Sequence, residues 1–294
     1  MFHVKHGSLN ESLLNESLNE SLLSKSLALN ESLARIIAVT NQKGGVGKTT
    51  TTINLGAALA ASDVKVLVID CDPQGNTTSG LGVQKTEGMH TLYDVLLDGK
   101  EILHAISKTE MEGLELVPAD KNLIGVNLEL VNSDDRESIL RHHLHRIRAE
   151  YQYILIDCPP ALDLLTLNAL MAADSVLIPI QCEFFALEGV SGLMDTIDRV
   201  RESFGHPLQI QGILLTMYDE RTNLARQVAA DLREFFKDEV FRTVIPRNIR
   251  LAEAPSHGKP ILLYDPGSKG SEAYIQLAKE ILINDQKRTA KSTG

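Results

Sequence analysis

The chain is poor in cysteine, with three in 294 residues: Cys71, Cys158 and Cys182. None belongs to a CxxC pair, and each sits in or beside an apolar strand-like run. That pattern excludes a disulfide framework and a thiolate metal site, and reads as reduced core thiols. Long hydrophobic runs are also missing. No stretch approaches the ~18–20 apolar residues of a membrane-spanning helix. An excess of positive charge is missing too: the formal net charge is −10. A protein with this balance binds a polyanion only through a local basic patch, because its bulk charge repels it. Apolar residues make up 43% of the chain, enough for the core of one large domain or two small ones.

The first 34 residues differ from the rest. Residues 8–16 read SLNESLLNE and residues 17–25 read SLNESLLSK, so seven of nine positions repeat. Leu9, Leu13, Leu14 and Leu18 spread over about half the circle at ~100° per residue, so they form no single helical face. Asn and Glu interrupt any signal-peptide core, and a basic face for membrane binding is lacking. The composition predicts a low-complexity tail over 1–34 with no part in the fold. The opening MFHVKH has a separate property. Its codons permit ATG TTT CAC GTG AAA CAT, a perfect inverted repeat of the kind that dimeric DNA-binding proteins read.

From residue 35 onward, apolar strand-like runs alternate with helical stretches. Strands are expected at Arg35–Thr40, Val64–Ile69, Leu114–Pro118, Tyr153–Ile156, Ser175–Ile180, Ile210–Leu215 and Val240–Ile245. Helices are expected at 135–149, 187–203, 222–236 and 271–284, with another opening at Thr49. This alternation predicts an α/β fold, a mostly parallel β-sheet with helices on both faces. Near-continuous apolar strands fit burial on both sides. Ligands in such sheets bind at strand carboxyl ends. The glycine loop 41–50, Asp70–Asp72 and Asp157 all fall there, which predicts one shared site.

The loop reads NQKGGVGKTT, Asn41 to Thr50. Gly44, Gly45 and Gly47 allow a tight turn that presents backbone N–H groups inward, and the helix that follows adds its N-terminus to this anion cradle. Lys48 is placed to reach the β- and γ-phosphates of a nucleotide, and Thr49 to put its hydroxyl on Mg²⁺. The common pattern, GxxxxGK[ST], needs one lysine; this loop has a second, Lys43, and Gln42 where the first glycine belongs. KGGVGKT resembles the deviant Walker A motif of the ParA/MinD family of P-loop ATPases.

The resemblance spans residues 35–285 and implies more. The extra lysine, Lys43, is expected to cross the interface of an ATP-sandwich dimer and touch the partner's phosphates, stabilising transition-state charge as an arginine finger does. The nucleotide contacts are expected from Lys43, Gly44, Gly45, Val46, Gly47, Lys48, Thr49 and Thr50. VLVIDCDPQGN (66–76) implies that Asp72 positions the attacking water and that Asp70 lies near the Mg²⁺ shell. ILIDCPP (154–160) looks like a Walker B strand, with Asp157 holding Mg²⁺ through water. TMYD (216–219) and IPRN (245–248) resemble the segments flanking adenine, which implies Met217, Pro246 and Arg247 at the base.

QCEFFALEG (181–189), TMYDERTN (216–223) and VIPRNIRLAEAPSHGKPI (244–261) are similar to the chromosomal ParA branch. No cluster cysteines of the nitrogenase iron protein are present. The expected end, 286–294, is a polar tail with Lys287, Arg288 and Lys291, unlike the membrane-binding helix of MinD proteins. The resemblance then implies an ATP-dependent homodimer that binds double-stranded DNA without sequence preference, through Arg221 and Arg250 with Arg247 and Lys259 nearby. It also implies a ParB-type partner that stimulates slow hydrolysis, a nucleoid location, and a replication initiator as a further partner. Two rival outputs stay open: a membrane-recruited positioning ATPase, and a nucleotide-gated regulator of replication initiation or transcription. The inverted repeat permitted by MFHVKH resembles the centromere-like site of such a partner, so the partition site is expected inside the first codons.

Overall fold

The computed structural model describes residues 33–292. The expected tail over 1–34 lies outside the described residues except for Leu33 and Ala34. Ala34 is fully buried and donates its N–H to Arg148 O at 3.0 Å.

Among the described residues seven strands form one sheet: β1 (Arg35–Val39), β2 (Val66–Asp70), β3 (Ser107–Lys108), β4 (Leu114–Val117), β5 (Tyr153–Asp157), β6 (Ser175–Gln181) and β7 (Gln209–Thr216). Their order is β3-β4-β2-β5-β1-β6-β7. All neighbours are parallel except the short β3, which pairs antiparallel with β4. The principal helices are α1 (Lys48–Ala60), α2 (Asn76–Gly80), α3 (Ile139–Ile147), α4 (Leu164–Ala172), α5 (Ala186–Phe204), α6 (Asn223–Phe236), α7 (Ile249–Glu253) and α8 (Lys269–Ser292).

Strand side chains alternate between two cores. Ile37, Val39, Val68 and Leu155 pack against α1 and against Tyr274, Leu277 and Ile281 of α8. Ile36, Ala38, Ile69, Ile156 and Val176 pack on the other side against α3–α6, through Leu144, Ala169, Leu193 and Leu232 among others. Each fully buried aliphatic side chain contributes about 1.5–3 kcal/mol of transfer free energy. The strands are therefore apolar on both faces because both faces are covered.

α1 has weak intrinsic propensity, since threonines fill its first turns. Tertiary contacts hold it instead. The Thr51 hydroxyl lies 3.2 Å from that of Tyr274, and the Asn54 carboxamide accepts from Ile261 N–H at 2.7 Å.

Two expectations need correction. Val240–Ile245 is not a strand. It keeps two backbone bonds beside β7, Phe241 N–H to Ile213 O and Ile245 N–H to Leu215 O. Between them Arg242 and Thr243 turn their N–H groups to the Glu280 carboxylate, which breaks the ladder. The last helix also does not stop near 285. α8 runs to Ser292, and Arg288 donates to Gln211 Oε1 at 2.9 Å, so the polar end begins as an anchored helical extension. Among the described residues no helix is long and apolar enough to cross a membrane.

Candidate functional site

The carboxyl ends of β1, β2 and β5 lie level. In strand register Val39 faces Asp157, and Asp157 faces Asp70. The glycine loop leaves β1 at this level and opens α1. Gly45 and Gly47 adopt left-handed backbone at φ +74° and +89°. A Cβ at Gly47 would meet nothing closer than Thr216 at 3.8 Å, so the backbone conformation, and not crowding, requires glycine there. No acidic residue occupies the first turn of α1, which leaves its positive end for an anion. Thr216 Oγ1 donates to Val46 O at 2.8 Å and ties the loop to the end of β7.

The two lysines of the loop sit differently. Lys48 is 7% exposed, and its ammonium donates to Lys43 O at 3.1 Å, inside the loop. Burial lowers its pKa; the charges of Asp157 and Asp72 oppose that. The Lys43 side chain is 46% exposed and ends 2.5 Å from Glu183 Oε2.

Asp157 is the hub of the site and is wholly buried. Its Oδ2 accepts from Thr49 Oγ1 at 2.8 Å and Thr77 Oγ1 at 2.7 Å, and its Oδ1 from Thr52 Oγ1 at 3.4 Å. Burial pushes its pKa up to about 6, against the pull of the Thr77 and Thr49 hydroxyls. A cation here relieves that penalty. Thr49 gives its proton to Asp157 and keeps oxygen lone pairs for a hard metal. The pair thus fits Mg²⁺, which takes few protein ligands and relies on water and phosphates.

Asp70 faces Asp157 in strand register. Its Oδ2 accepts from Thr78 N–H at 2.8 Å and Thr78 Oγ1 at 2.6 Å, and its Oδ1 from Asp72 N–H at 3.2 Å. These bonds hold the 71–78 turn beside Asp157. Burial first, and Asp157 second, push Asp70 up to about 7. Asp72 lies in that turn, where its Oδ1 accepts from Gln74 N–H at 2.9 Å.

The expected adenine segments do meet. Tyr218 N–H donates to Ile245 O and Arg247 N–H to Tyr218 O, and Tyr218 pairs with Pro246. Met217 beside them holds a left-handed backbone at φ +48°, unusual for a side chain of its size.

The expected DNA-binding cations are not bare. Arg221 grips Asp219 with two bonds of 2.8 and 2.6 Å. That grip, with Arg247 nearby, lowers the Asp219 pKa to about 2. Arg250 pairs with Glu253 at 2.9 Å and Asp265 at 3.4 Å, and Lys259 with Glu110 at 2.8 Å.

Several site residues escape the sequence reading. Thr52, Thr77 and Thr78 have no motif weight of their own, and Glu183 lies inside QCEFFALEG without a role read for it. The threonine pair directly after DCDPQGN was the one available signal.

The AAA domain family model matches residues 34–210. The sporulation initiation inhibitor protein Soj of Bacillus subtilis (strain 168) is 53% identical over 252 residues, 86% of this chain and 100% of that protein. The chromosome partitioning protein ParA of Caulobacter vibrioides is 55% identical over 260 residues, 88% of this chain and 97% of that protein. Among solved structures, the cobyrinic acid a,c-diamide synthase of Mycobacterium smegmatis with bound ADP and magnesium superposes with a TM-score of 0.74 at 36% identity. It covers 85% of this chain and 94% of that one. The fold and site define a P-loop nucleotide hydrolase. More narrowly, the chain belongs to the ParA/MinD family of P-loop ATPases. It is an ATPase, and its cofactors are ATP and Mg²⁺.

Proposed function

We propose that this ATPase is a nucleotide-operated switch for chromosome or plasmid partitioning. The observation that carries the reading is the division between the loop lysines: Lys48 is buried within its own loop, while Lys43 stands half-exposed at the rim. One serves the bound nucleotide, and the other stands where a second subunit would close over the loop.

A monomer binds Mg-ATP through the loop 43–50. Thr49 and Asp157 would hold the metal, which when bound neutralises phosphate charge. Met217, Pro246 and Arg247 would face the base. Two loaded subunits close with each Lys43 against the other's phosphates. The dimer then holds DNA through phosphates, with Arg221 and Arg250 leading and Arg247 and Lys259 beside them, independent of sequence and sensitive to salt. Asp72 positions the attacking water. A ParB-type partner stimulates hydrolysis, and ADP releases the dimer from the nucleoid. The name of the Caulobacter relative supports the partition role.

Sedimentation with Mg²⁺ and a non-hydrolysable ATP analogue tests the switch. Wild type should become a dimer, and Lys43→Ala should bind the analogue yet stay monomeric. A Lys43→Ala protein that dimerises like wild type would contradict the reading.

A further inference from the structure

The contact between Lys43 and Glu183 joins positions 140 apart in the chain. Both residues stand on fixed backbone. Lys43 N–H donates to Asn41 Oδ1 at 2.9 Å, and the Asn41 carboxamide donates to Pro179 O at 2.8 Å. The Gln42 side chain reaches Thr196 Oγ1 at 3.2 Å. On the other side, Glu183 N–H donates to Gln181 O, and Glu183 O accepts from Ala186 N–H, closing a turn between β6 and α5. Two side chains on rigid supports lose less conformational freedom on pairing than two free surface side chains.

The same turn carries Phe184 and Phe185, 76% and 64% exposed, with rings 5.0 Å apart edge to face. Such an exposed aromatic pair suits cover by another protein surface. A second copy closing over the loop would cover this turn and draw Lys43 toward its nucleotide. An ammonium held 2.5 Å from its own carboxylate is not free to make that contact.

We propose that Glu183 is a positioning residue that holds Lys43 in the single subunit and must release it for the ATP dimer to close. This rests on the proposed trans role of Lys43. In the monomer, Glu183 neutralises a cation that would otherwise stand unpaired at the rim, and so raises the threshold for dimer formation. Breaking one half-exposed pair shifts an equilibrium by about 1.4- to fivefold. Two pairs break per dimer, so removing the restraint raises the dimerisation constant by about two- to thirtyfold.

The experiment is a dimerisation titration by sedimentation, with Mg²⁺ and a non-hydrolysable ATP analogue, on wild type, Glu183→Gln, Lys43→Ala and the double variant. Glu183→Gln should dimerise at lower protein concentration by that factor, with unchanged analogue affinity in the monomer. The gain should shrink as salt rises and vanish in the Lys43→Ala background; a merely structural role for Glu183 would move neither. If Glu183→Gln dimerises as wild type does, or more weakly, while Lys43→Ala stays monomeric, the restraint is overturned and the trans lysine stands. If Lys43→Ala dimerises normally, both fail together.

Discussion

Thr49 donates its hydroxyl to Asp157 Oδ2 at 2.8 Å, joining the first turn of α1 to the end of β5 across 108 positions. Thr77 donates to the same oxygen from the 71–78 segment at 2.7 Å. One carboxylate therefore gathers the nucleotide loop, the second motif and the Walker B strand. Thr49→Ala should lower Mg²⁺ affinity or activity by about 10- to 100-fold, and Thr49→Ser should keep most of both. A magnesium titration of the hydrolysis rate reads this directly.

The buried carboxyls predict a pH dependence with a definite sign. Asp70 and Asp157 are raised, to about 7 and about 6, from an unfolded value near 3.8. Between those limits the native state holds more protons than the unfolded one. Their contribution to stability is present in full below the unfolded pKa and is lost as pH rises through the folded values. Without nucleotide and with chelator, the melting temperature should therefore fall between about pH 4 and about pH 7, and Asp70→Asn should flatten the slope. Calorimetry across that range checks it; a steady rise in wild type would contradict it.

Gly47 sets the shape of the phosphate cradle at φ +89° with room around it. Gly47→Ala should cost about 1–2 kcal/mol in the left-handed backbone, too little to unfold the domain. The loop should relax away from its cradle shape, and ATP affinity should fall well beyond what that stability change alone predicts. Denaturant melts and nucleotide titration together separate the two effects.

Much of this was legible in the sequence because the residues that carry it are bound to local pattern. NQKGGVGKTT has Gly45 and Gly47 where φ is positive, and apolar runs such as VLVID and YILID fit strands buried on both faces. What stayed hidden depends on partners far along the chain. Val240–Ile245 alternates like a strand, yet Glu280 takes its N–H groups. Polarity after Ile283 suggested an end, while Gln211 holds Arg288 and the helix goes on. The pairing of Lys43 with Glu183, 140 positions apart, has no local signature at all.

Ion pairing also shapes the DNA prediction. Asp219 neutralises Arg221 through two short bonds. Asp219→Asn should strengthen DNA binding by the ATP form, and Arg221→Ala should weaken it without changing dimerisation. Binding isotherms at several salt concentrations measure both. Loss of one phosphate contact should reduce the salt slope by about 1.

The codons for MFHVKH make a claim about DNA that lies outside the described residues. We propose that they form the inverted repeat ATG TTT CAC GTG AAA CAT. Reading the gene decides this, and any other codon choice that breaks the symmetry ends the idea.

The central claim is that ATP, through Lys43, converts a monomer into a DNA-binding dimer. The most direct measurement is DNA binding by purified protein with ADP, with ATP, and with ATP in Lys43→Ala, Asp72→Ala and Arg250→Ala. Wild type should bind only with ATP, and Asp72→Ala should retain binding. Lys43→Ala should lose binding by failing to dimerise, and Arg250→Ala should lose it while still dimerising. A wild-type protein that dimerises with ATP yet ignores DNA would contradict the account.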